Sequence, residues 1–396
     1  MLEHVQAAPP DPILGLTADY KEDPNPEKVN LGVGVYKDDT GVTPIFPSVK
    51  EAEKRLLESE ETKSYLPIEG DPEYGKFVRE LLFGSGHEWV EGGRAVSLHT
   101  PGGTGALRLA GDFLVKILPD TKIWLSDPTW ANHNKVFSAA GLSAESYPYY
   151  DATGKSLDFD KMCEALKTVP EGDIVLLHGC CHNPTGQDPT EKQWKEIAAI
   201  LARRKAVPFL DFAYQGLGDG LEADATGLRA LAEVCPEMLI ASSFSKNFGL
   251  YCERVGALTC VALDTDTAKA ALSQLKICAR TNYSNPPAHG AMIVKTILSD
   301  KMLREQWEEE AKGVRDRINK MRDLFVETLK QKGVEEDFSF IKQQKGMFSY
   351  SGLSKAQVET LREKNSIYIV GSGRINVAGM TTGNMDFICE AIKSVL

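Results

Sequence analysis

Lys246 stands in the segment Ser242-Ser-Phe-Ser-Lys-Asn, directly after the apolar run Leu239–Ala241. A lysine usually prefers a solvated face of a protein. In a cleft, however, its pKa falls, and the neutral amine can form a Schiff base with a carbonyl group. Arg254 follows eight residues later and is a candidate clamp for a phosphate group. The segment therefore indicates a reactive amine beside an anion site.

A second segment, Val207–Tyr214, places Asp211 inside an apolar strand. A buried carboxylate is costly unless it meets a cation. Tyr214 follows three residues later, beyond the expected end of the strand. One interpretation is a ligand site in which Asp211 faces a positive group. The alternative is a buried aspartate that caps a turn.

A third segment, Pro101–Leu107, is rich in glycine and joins an expected strand to an expected helix. Backbone N–H groups at the start of a helix favour an anion. The segment matches neither the P-loop nor the dinucleotide-binding pattern, because it lacks the required lysine and carries Arg108 where the third glycine would stand. It therefore favours a phosphate without a nucleotide, although a simple turn would also fit.

The fourth segment, His178–Gly186, contains two histidines and two cysteines close together in the sequence: His178, Cys180, Cys181 and His182. These residues lack the C-x-x-C spacing of a zinc site, and no second Cys/His pair completes the set, so no metal site is predicted. Its Asn-Pro-Thr-Gly end predicts a rigid turn at the carboxyl end of a strand, where α/β sheets bind ligands. A G-x-S-x-G hydrolase motif does not occur.

The elements that position these segments follow a regular alternation from about residue 94. Apolar runs near Ala95–His99, Lys122–Ser126, Ile174–His178 and Val207–Phe212 alternate with helical patterns, which indicates βαβ units and a mostly parallel sheet covered by helices. Lys301–Gln331 predicts one long amphipathic helix that bridges two domains, and the segment after Gly333 predicts a smaller α+β domain.

Composition limits the classes of function. The 396 residues include 42% hydrophobic and 26% charged residues, which is typical of a soluble globular protein. The net charge of −11 disfavours nucleic acid and anionic lipid as partners. The eight scattered cysteines indicate a reducing compartment, and no apolar run suits a secretory signal or a membrane span. We therefore expect a cytoplasmic protein with no membrane segment.

A lysine, an aspartate, a tyrosine and a phosphate site together are what pyridoxal 5'-phosphate requires. With these residues the chain resembles fold-type I pyridoxal-phosphate enzymes, and in particular the class I aspartate aminotransferases of bacteria. The resemblance runs from end to end and includes Asp11-Pro-Ile-Leu-Gly-Leu, Asn30-Leu-Gly-Val-Gly-Val-Tyr, Tyr65-Leu-Pro-Ile, Ser126-Asp-Pro-Thr-Trp, Asn183-Pro-Thr-Gly, Ser243-Phe-Ser-Lys-Asn-Phe, Arg280-Thr-Asn-Tyr-Ser-Asn-Pro-Pro and Gly373-Arg-Ile-Asn-Val-Ala-Gly.

The resemblance implies a role for each matching residue. Lys246 would bind the cofactor covalently and shuttle a proton, and Asp211, supported by His133, would pair with the ring nitrogen. Tyr214 and Asn183 would bind the phenolic oxygen, and Trp130 would stack on the ring. The phosphate would be held by Gly103, Thr104, Ser243 and Arg254, with Tyr65 reaching in from the neighbouring subunit.

The same resemblance implies the substrate and the assembly. Arg374 would bind the α-carboxylate and Arg280, from the other subunit of a homodimer, the distal carboxylate, since a guanidinium pairs with a carboxylate through two hydrogen bonds. Gly34 would lie over the substrate. The expected reaction is ping-pong transfer of the amino group from L-aspartate to 2-oxoglutarate. The expected organisation is an arm at 1–12, a small domain at 13–47 and 311–396, and a large cofactor-binding domain at 48–310.

Three alternatives stay open. The aromatic aminotransferases share these catalytic residues, although five positions near the pocket resemble the aspartate branch: Val35, Lys37, Thr43, Thr104 and Asn285. Ser64 departs from the asparagine expected there. A pyridoxal-phosphate lyase or decarboxylase is disfavoured by the presence of both Arg280 and Arg374. A binding protein without catalysis is disfavoured by the intact Lys246, Asp211 and Tyr214.

Overall fold

The computed structural model describes residues 2–7 and 14–396. The predicted arm at 1–12 and the motif that begins at Asp11 therefore lie partly outside the described residues. The chain divides into two compact units. One unit contains the described residues up to Thr43 together with Arg317–Leu396, and the other is Pro44–Asp316. The domain boundaries predicted from the sequence, after residues 47 and 310, lie within a few residues of these.

The strands, in chain order, are β1 (Val29–Asn30), β2 (Ala95–Pro101), β3 (Lys122–Asp127), β4 (Ser143–Pro148), β5 (Tyr150–Asp151), β6 (Ser156–Leu157), β7 (Ile174–His178), β8 (Val207–Phe212), β9 (Met238–Ser243), β10 (Val255–Val261), β11 (Phe348–Tyr350), β12 (Ile367–Tyr368) and β13 (Arg374–Asn376).

The helices are α1 (Leu14–Glu22), α2 (Pro47–Ser59), α3 (Pro72–Phe83), α4 (Glu88–Glu91), α5 (Gly102–Ile117), α6 (Asn132–Ala140), α7 (Phe159–Leu166), α8 (Glu191–Arg204), α9 (Leu221–Asp224), α10 (Thr226–Ala232), α11 (Thr265–Asn282), α12 (His289–Ser299), α13 (Lys301–Gln331), α14 (Lys355–Asn365) and α15 (Met385–Lys393). Short 3-10 turns lie at Leu2–His4, Ser339–Gln343 and Val377–Gly379.

A seven-stranded sheet in the order β2-β10-β9-β8-β7-β3-β4 organises the larger unit. Pairing is parallel throughout except at β10, which runs antiparallel to both β2 and β9. Strands β7, β9 and β10 are buried along their whole length, because helices cover both faces of the sheet. The predicted mostly parallel sheet flanked by helices is confirmed.

Helix α5 packs on the sheet and begins within the glycine-rich segment. Its buried face, which includes Leu107, Leu109 and Phe113, joins one apolar core with Ile123 and Phe209 from the sheet. The helix therefore starts directly at the carboxyl end of β2. The sequence placed its start near Thr104, whereas the structure begins it at Gly102.

Only Val29 and Asn30 of the apolar segment 29–35 form a strand, β1, which pairs with β12. The helical pattern over 157–168 predicts a helix there, and the helix begins at Phe159, because Leu157 pairs with Tyr150 in a small hairpin and the Asp158 carboxylate accepts a hydrogen bond from the backbone N–H of Lys161. An N-cap of this kind fixes a helix start more sharply than an apolar pattern can.

The predicted long helix is α13, with the expected bounds. Its apolar stripe, Leu303, Trp307, Val314, Ile318, Met321, Phe325 and Leu329, is buried. The smaller unit also has the expected α+β character, with one parallel pair, β1–β12, and one antiparallel pair, β11–β13. Among the described residues, no helix is both long and apolar enough to cross a membrane.

Candidate active site

Lys246 lies in the turn that follows β9, at the carboxyl edge of the parallel strands. Its side chain is half-buried, and its Nζ lies 5.0 Å from the centre of the Tyr214 ring. Burial lowers the pKa of Lys246 to about 8, with the positive charge of Arg254 adding to the effect and the carboxylate of Asp211 opposing it. About a tenth of this amine is therefore neutral, and so nucleophilic, at pH 7, far more than of an ordinary lysine.

Asp211 is in β8, directly opposite His178 of β7. Its Oδ2 lies 2.9 Å from Nε2 of the fully buried His133. Burial raises the pKa of Asp211, but the hydrogen bond from His133 outweighs this effect and holds the pKa below its usual value. The site thus keeps a carboxylate ionised in a poorly solvated place, which prepares it for a cationic partner.

A chain of hydrogen bonds extends from His133 away from Asp211. The Thr129 hydroxyl lies 2.8 Å from His133 Nδ1 and 3.0 Å from His178 Nε2. The backbone N–H of Asn183 donates to His178 Nδ1 at 3.3 Å. Burial lowers the pKa of His178 to about 3, so this imidazole is neutral at physiological pH.

These contacts fix the direction of every bond in the chain. Because His178 Nδ1 accepts from Asn183, the single ring proton of His178 is on Nε2 and is donated to Thr129. The Thr129 hydroxyl then donates to His133 Nδ1, which leaves the His133 proton on Nε2, pointing at Asp211. The arrangement holds His133 as a donor to the Asp211 carboxylate.

Three further predicted residues lie on turns at this edge. Asn183 and Tyr214 are buried after β7 and β8, and Trp130 is half-buried after β3, where its ring meets His133 edge-on at 5.2 Å. Asn247 Nδ2 donates to the carbonyl of Gln215 at 3.1 Å, which ties the turn of Lys246 to that of Tyr214. The strand register thus brings together side chains that are far apart in sequence.

A cradle for an anion lies at the start of α5. Pro101 precedes the helix, and no side chain caps its first turn. Gly102 has a left-handed φ of +72°, and a Cβ there would come within 2.5 Å of Arg254 Nη2. A Cβ on Gly103 would lie 3.0 Å from that of Ser243. Glycine is therefore needed for the close approach of these groups.

The residues around the cradle suit a phosphate. Arg254 is exposed, and its Nη1 donates to Ser245 Oγ at 3.4 Å, while the hydroxyls of Ser243 and Ser245 lie 3.3 Å apart. Thr104 is half-buried in the first turn of α5. Helix N–H groups, two hydroxyls and a guanidinium are donors that a phosphate dianion binds. With Lys246 on the turn after β9 and Asp211 in the adjacent strand β8, these residues fit pyridoxal phosphate.

Arg374 and Gly34 lie together in the smaller unit. Arg374 is buried at the start of β13, its guanidinium lies 4.1 Å from the centre of the Phe348 ring, and it donates to the carbonyl of Gly32. A Cβ on Gly34 would come within 2.8 Å of Phe348 Cζ. Phe348 thus packs against both predicted substrate-binding residues.

Tyr65 and Arg280 are exposed on the larger unit, Tyr65 to 92%. Arg280 is in the last turn of α11, and its Nη1 donates to Ser284 Oγ and to Asn285 Oδ1. Asn285 Nδ2 in turn donates to the carbonyl of Leu66 at 2.8 Å. The loop of Tyr65 and the end of α11 are therefore held next to each other.

Three residues of the site were not singled out in the sequence. Thr129 and His178 stand inside quoted motifs, but their role depends on the neighbouring positions of β3, β7 and β8. Ser245 lies one residue before Lys246, and only the fold brings Arg254 to it. A polar residue directly after a buried strand was the only available signal.

Three features define a pyridoxal-phosphate enzyme of fold type I: a sheet with helices on both faces, a half-buried lysine beside an ionised aspartate, and a phosphate cradle at the start of α5. Residues 26–392 match the family model described as aminotransferase class I and II. The chain belongs to this family of aminotransferases.

Individual relatives match over nearly the whole chain. This chain is 55% identical to the aspartate aminotransferase of Escherichia coli over 396 residues, which covers all of both chains. It is 49% identical to an aromatic-amino-acid aminotransferase of Pseudomonas aeruginosa, with 99% of this chain and 98% of the relative covered. Among solved structures, it is similar to an aromatic-amino-acid aminotransferase from Burkholderia pseudomallei covalently bound to pyridoxal phosphate, with a TM-score of 0.98, 47% identity, and 100% and 99% coverage.

Proposed function

We propose that the protein is an aspartate aminotransferase. It transfers the amino group of L-aspartate to 2-oxoglutarate and yields oxaloacetate and L-glutamate, with pyridoxal 5'-phosphate as cofactor. The observation that carries this proposal is Lys246, whose pKa of about 8 and place beside Asp211 and Tyr214 suit an amine that reacts with an aldehyde. The full-length identity of 55% to the Escherichia coli aspartate aminotransferase supports the choice of substrate.

When bound, pyridoxal phosphate supplies an aldehyde that captures an amino group and a ring that accepts the electrons of the broken Cα–H bond. Ser243, Arg254, Gly103, Thr104 and the first turn of α5 would hold its phosphate. The uncapped helix start and the exposed guanidinium support this assignment.

Lys246 is the residue that would hold the cofactor covalently. Its neutral amine, when free, would act as the base for the proton on the substrate Cα and would return that proton to the cofactor. Its lowered pKa serves both steps, because a base works best when its pKa is near the working pH.

Asp211 and His133 would keep a proton on the ring nitrogen. The ionised Asp211 carboxylate would stabilise the positive ring, and the direction of the bonds through Thr129 orients His133 as a donor to Asp211. Tyr214 and Asn183 would donate to the phenolic oxygen, and Trp130 would cover one ring face. Trp130, Asn183 and Tyr214 follow the neighbouring strands β3, β7 and β8, which supports their action on one ligand.

Two arginines select a dicarboxylic substrate. Arg374 binds the α-carboxylate, and the Phe348 ring beneath its guanidinium limits where the fork can point. Arg280 binds the distal carboxylate. Gly34 lies over the substrate, where its missing side chain leaves room beside Phe348.

The active form is a homodimer in which each site takes Arg280 of the partner subunit and Tyr65 of the partner subunit. Two features support this proposal: both side chains are exposed, and the Asn285–Leu66 hydrogen bond holds their two segments side by side. An exposed tyrosine that no core needs is well suited to an interface. We further propose a cytoplasmic location, a small domain of 13–47 and 311–396, and a large domain of 48–310.

A half-reaction tests the function. The cofactor-loaded protein is mixed with L-aspartate without keto acid, and the cofactor spectrum and oxaloacetate are followed. We expect conversion of pyridoxal to pyridoxamine phosphate with one oxaloacetate per site. A spectrum that is unchanged by aspartate but responds to phenylalanine would move the assignment to the aromatic branch, to which the Pseudomonas relative belongs. A purified protein that binds no pyridoxal phosphate would overturn the proposal.

A further inference from the structure

Two adjacent cysteines and an aspartate lie close together, next to the turn that carries Asn183. The Sγ atoms of Cys180 and Cys181 and a carboxylate oxygen of Asp224 all lie within 4.8 Å of one another. All three residues are buried. The cysteines follow β7 and Asp224 ends the short helix α9, which follows β8. The sequence could not predict this cluster, because its third member is more than forty residues away.

The carboxylate of Asp224 is held rigidly. Its Oδ2 accepts hydrogen bonds from the backbone N–H groups of Gly216 and Gly218 at 2.8 and 3.0 Å, and its Oδ1 accepts one from Asp219 at 2.7 Å. A carboxylate oxygen can accept two such bonds. The protein donors to Oδ1 therefore leave it one lone pair for a further ligand.

Gly218 keeps the space between these groups open. A Cβ at this position would come within 2.6 Å of Asp224 Oδ1 and 3.2 Å of Cys181 Sγ. Cys181 itself has a left-handed φ of +52°, which is uncommon for a residue with a side chain. The backbone thus holds a cysteine in a strained conformation, and the absence of a side chain at Gly218 leaves room beside its sulfur.

The donor set has a clear chemical preference. Two thiolates and one carboxylate are three protein ligands for a tetrahedral ion such as Zn²⁺ or Cd²⁺, and the thiolates favour soft ions. A divalent ion that displaces the two thiol protons leaves the net charge of the site unchanged. Cysteine binds a metal ion as the thiolate, so the ion must release protons as it binds.

We propose that Cys180, Cys181 and Asp224 form a binding site for a soft divalent metal ion. The ion joins the turn after β7 to the end of α9, and Asp224 in turn holds the backbone of Gly216 and Gly218 after β8. These two segments adjoin Asn183 and Tyr214, so the ion braces the residues that, under the proposed function, bind the phenolic oxygen of the cofactor. The binding itself does not depend on that function.

Cadmium alone is the probe. The holoenzyme, reduced with a phosphine and freed of thiols, is titrated with Cd²⁺ while three signals are recorded: bound metal, the ultraviolet thiolate-to-cadmium band and released protons. We expect one ion per chain at this site, a band for two thiolates and two protons released per ion. The ion should also raise the unfolding temperature, since it binds only the folded site.

Cys180→Ser and Cys181→Ser keep the size of the side chains and should each weaken cadmium binding by about 100-fold or more, because each removes a ligand. Cys252→Ser is the matched control: Cys252 is the exposed cysteine, and its loss should leave the tight site unchanged. The proposal is overturned if wild type binds no cadmium with a thiolate band, or if the band survives in Cys181→Ser and disappears in Cys252→Ser. Transamination is assayed separately, so failure of one proposal does not imply failure of the other.

Discussion

Nε2 of His133 lies 2.9 Å from Oδ2 of Asp211, and the opposite nitrogen of the same ring lies 2.8 Å from the Thr129 hydroxyl. Both ring nitrogens of His133 are thus hydrogen-bonded. Since His133 is fully buried, water does not compete for either nitrogen. Because a buried and doubly hydrogen-bonded His133 supports it, the Asp211 carboxylate is the first residue to test.

Asp211→Asn should lower kcat/KM by about 10³-fold or more, because the amide cannot balance the charge of a protonated ring in a poorly solvated site. Thr129→Val should cost less, about 10-fold, since it removes only the support of His133. Steady-state kinetics with aspartate give both values. Thr129→Ser is the control that retains the hydroxyl. A loss in Asp211→Asn no larger than in Thr129→Val would contradict the assigned role.

Lys246→Ala should keep the fold but lose turnover by many orders of magnitude, since no other amine replaces Lys246. In the cofactor-free wild type, the Lys246 amine should titrate with a midpoint near pH 8, because burial lowers its pKa to about 8. Carbon-13 labelling of the lysines by reductive methylation, followed by NMR titration, measures that midpoint. Lys246→Ala identifies the signal. A midpoint at the ordinary lysine value would show that the amine is not desolvated.

Arg280→Leu should lose activity on aspartate while activity on neutral amino acids is spared. Loss of one partner of a bidentate ion pair costs about 2–5 kcal/mol, or roughly 30- to 5000-fold in kcat/KM. Arg374→Leu should reduce activity on both classes, because every amino acid has an α-carboxylate. The kcat/KM values for aspartate and phenylalanine distinguish these cases. Equal losses in Arg280→Leu would show that Arg280 does not read the distal carboxylate.

Gly34→Ala should raise the KM for aspartate. The added Cβ would stand 2.8 Å from Phe348 Cζ, so the ring must move, and the guanidinium of Arg374 rests on that ring. We expect about a 10-fold effect, since a small displacement of a substrate-binding group is costly. Gly371→Ala is a suitable control, because a Cβ there meets nothing within 4 Å. An unchanged KM would mean that Phe348 does not position Arg374.

His99 should make the protein sensitive to acid. It is buried, neither ring nitrogen has a hydrogen-bond partner, and burial lowers its pKa to about 4 from 6.5. Since the folded state binds the proton less well, stability is fully present above pH 6.5 and is lost as the pH falls toward 4, by up to about 3 kcal/mol.

Urea unfolding of wild type and His99→Gln at pH 8 and pH 4.5 measures this contribution. The free energy of unfolding of wild type should fall more between the two pH values than that of His99→Gln, which does not titrate. Equal falls would show that His99 is already charged in the folded state or is reached by water.

The strands and long helices were predictable because their patterns depend on local spacing. The stripe from Leu303 to Leu329 repeats at helical intervals, and Ile174–His178 is apolar throughout. The short pairs were not predictable. β1 consists of two residues, and only its partner β12, more than three hundred residues away, makes it a strand.

The residues of the site were recognisable by motif, but their connections were not. That His178 supports His133 follows from β7 lying between β3 and β8, an order no local pattern contains. The same holds for Arg254: the sequence suggests that it lies near a phosphate, and the fold adds that its guanidinium lies against Gly102, whose left-handed φ of +72° disfavours a side chain.

The first turn of α5 has a consequence for the maturation of the protein. Because no side chain caps it, its N–H groups depend on a bound anion for their partners. Loading with cofactor thus completes a piece of secondary structure as well as a reaction centre. Freshly made chains without cofactor should exchange the amide hydrogens of Gly103 and Thr104 quickly and expose this edge to proteases.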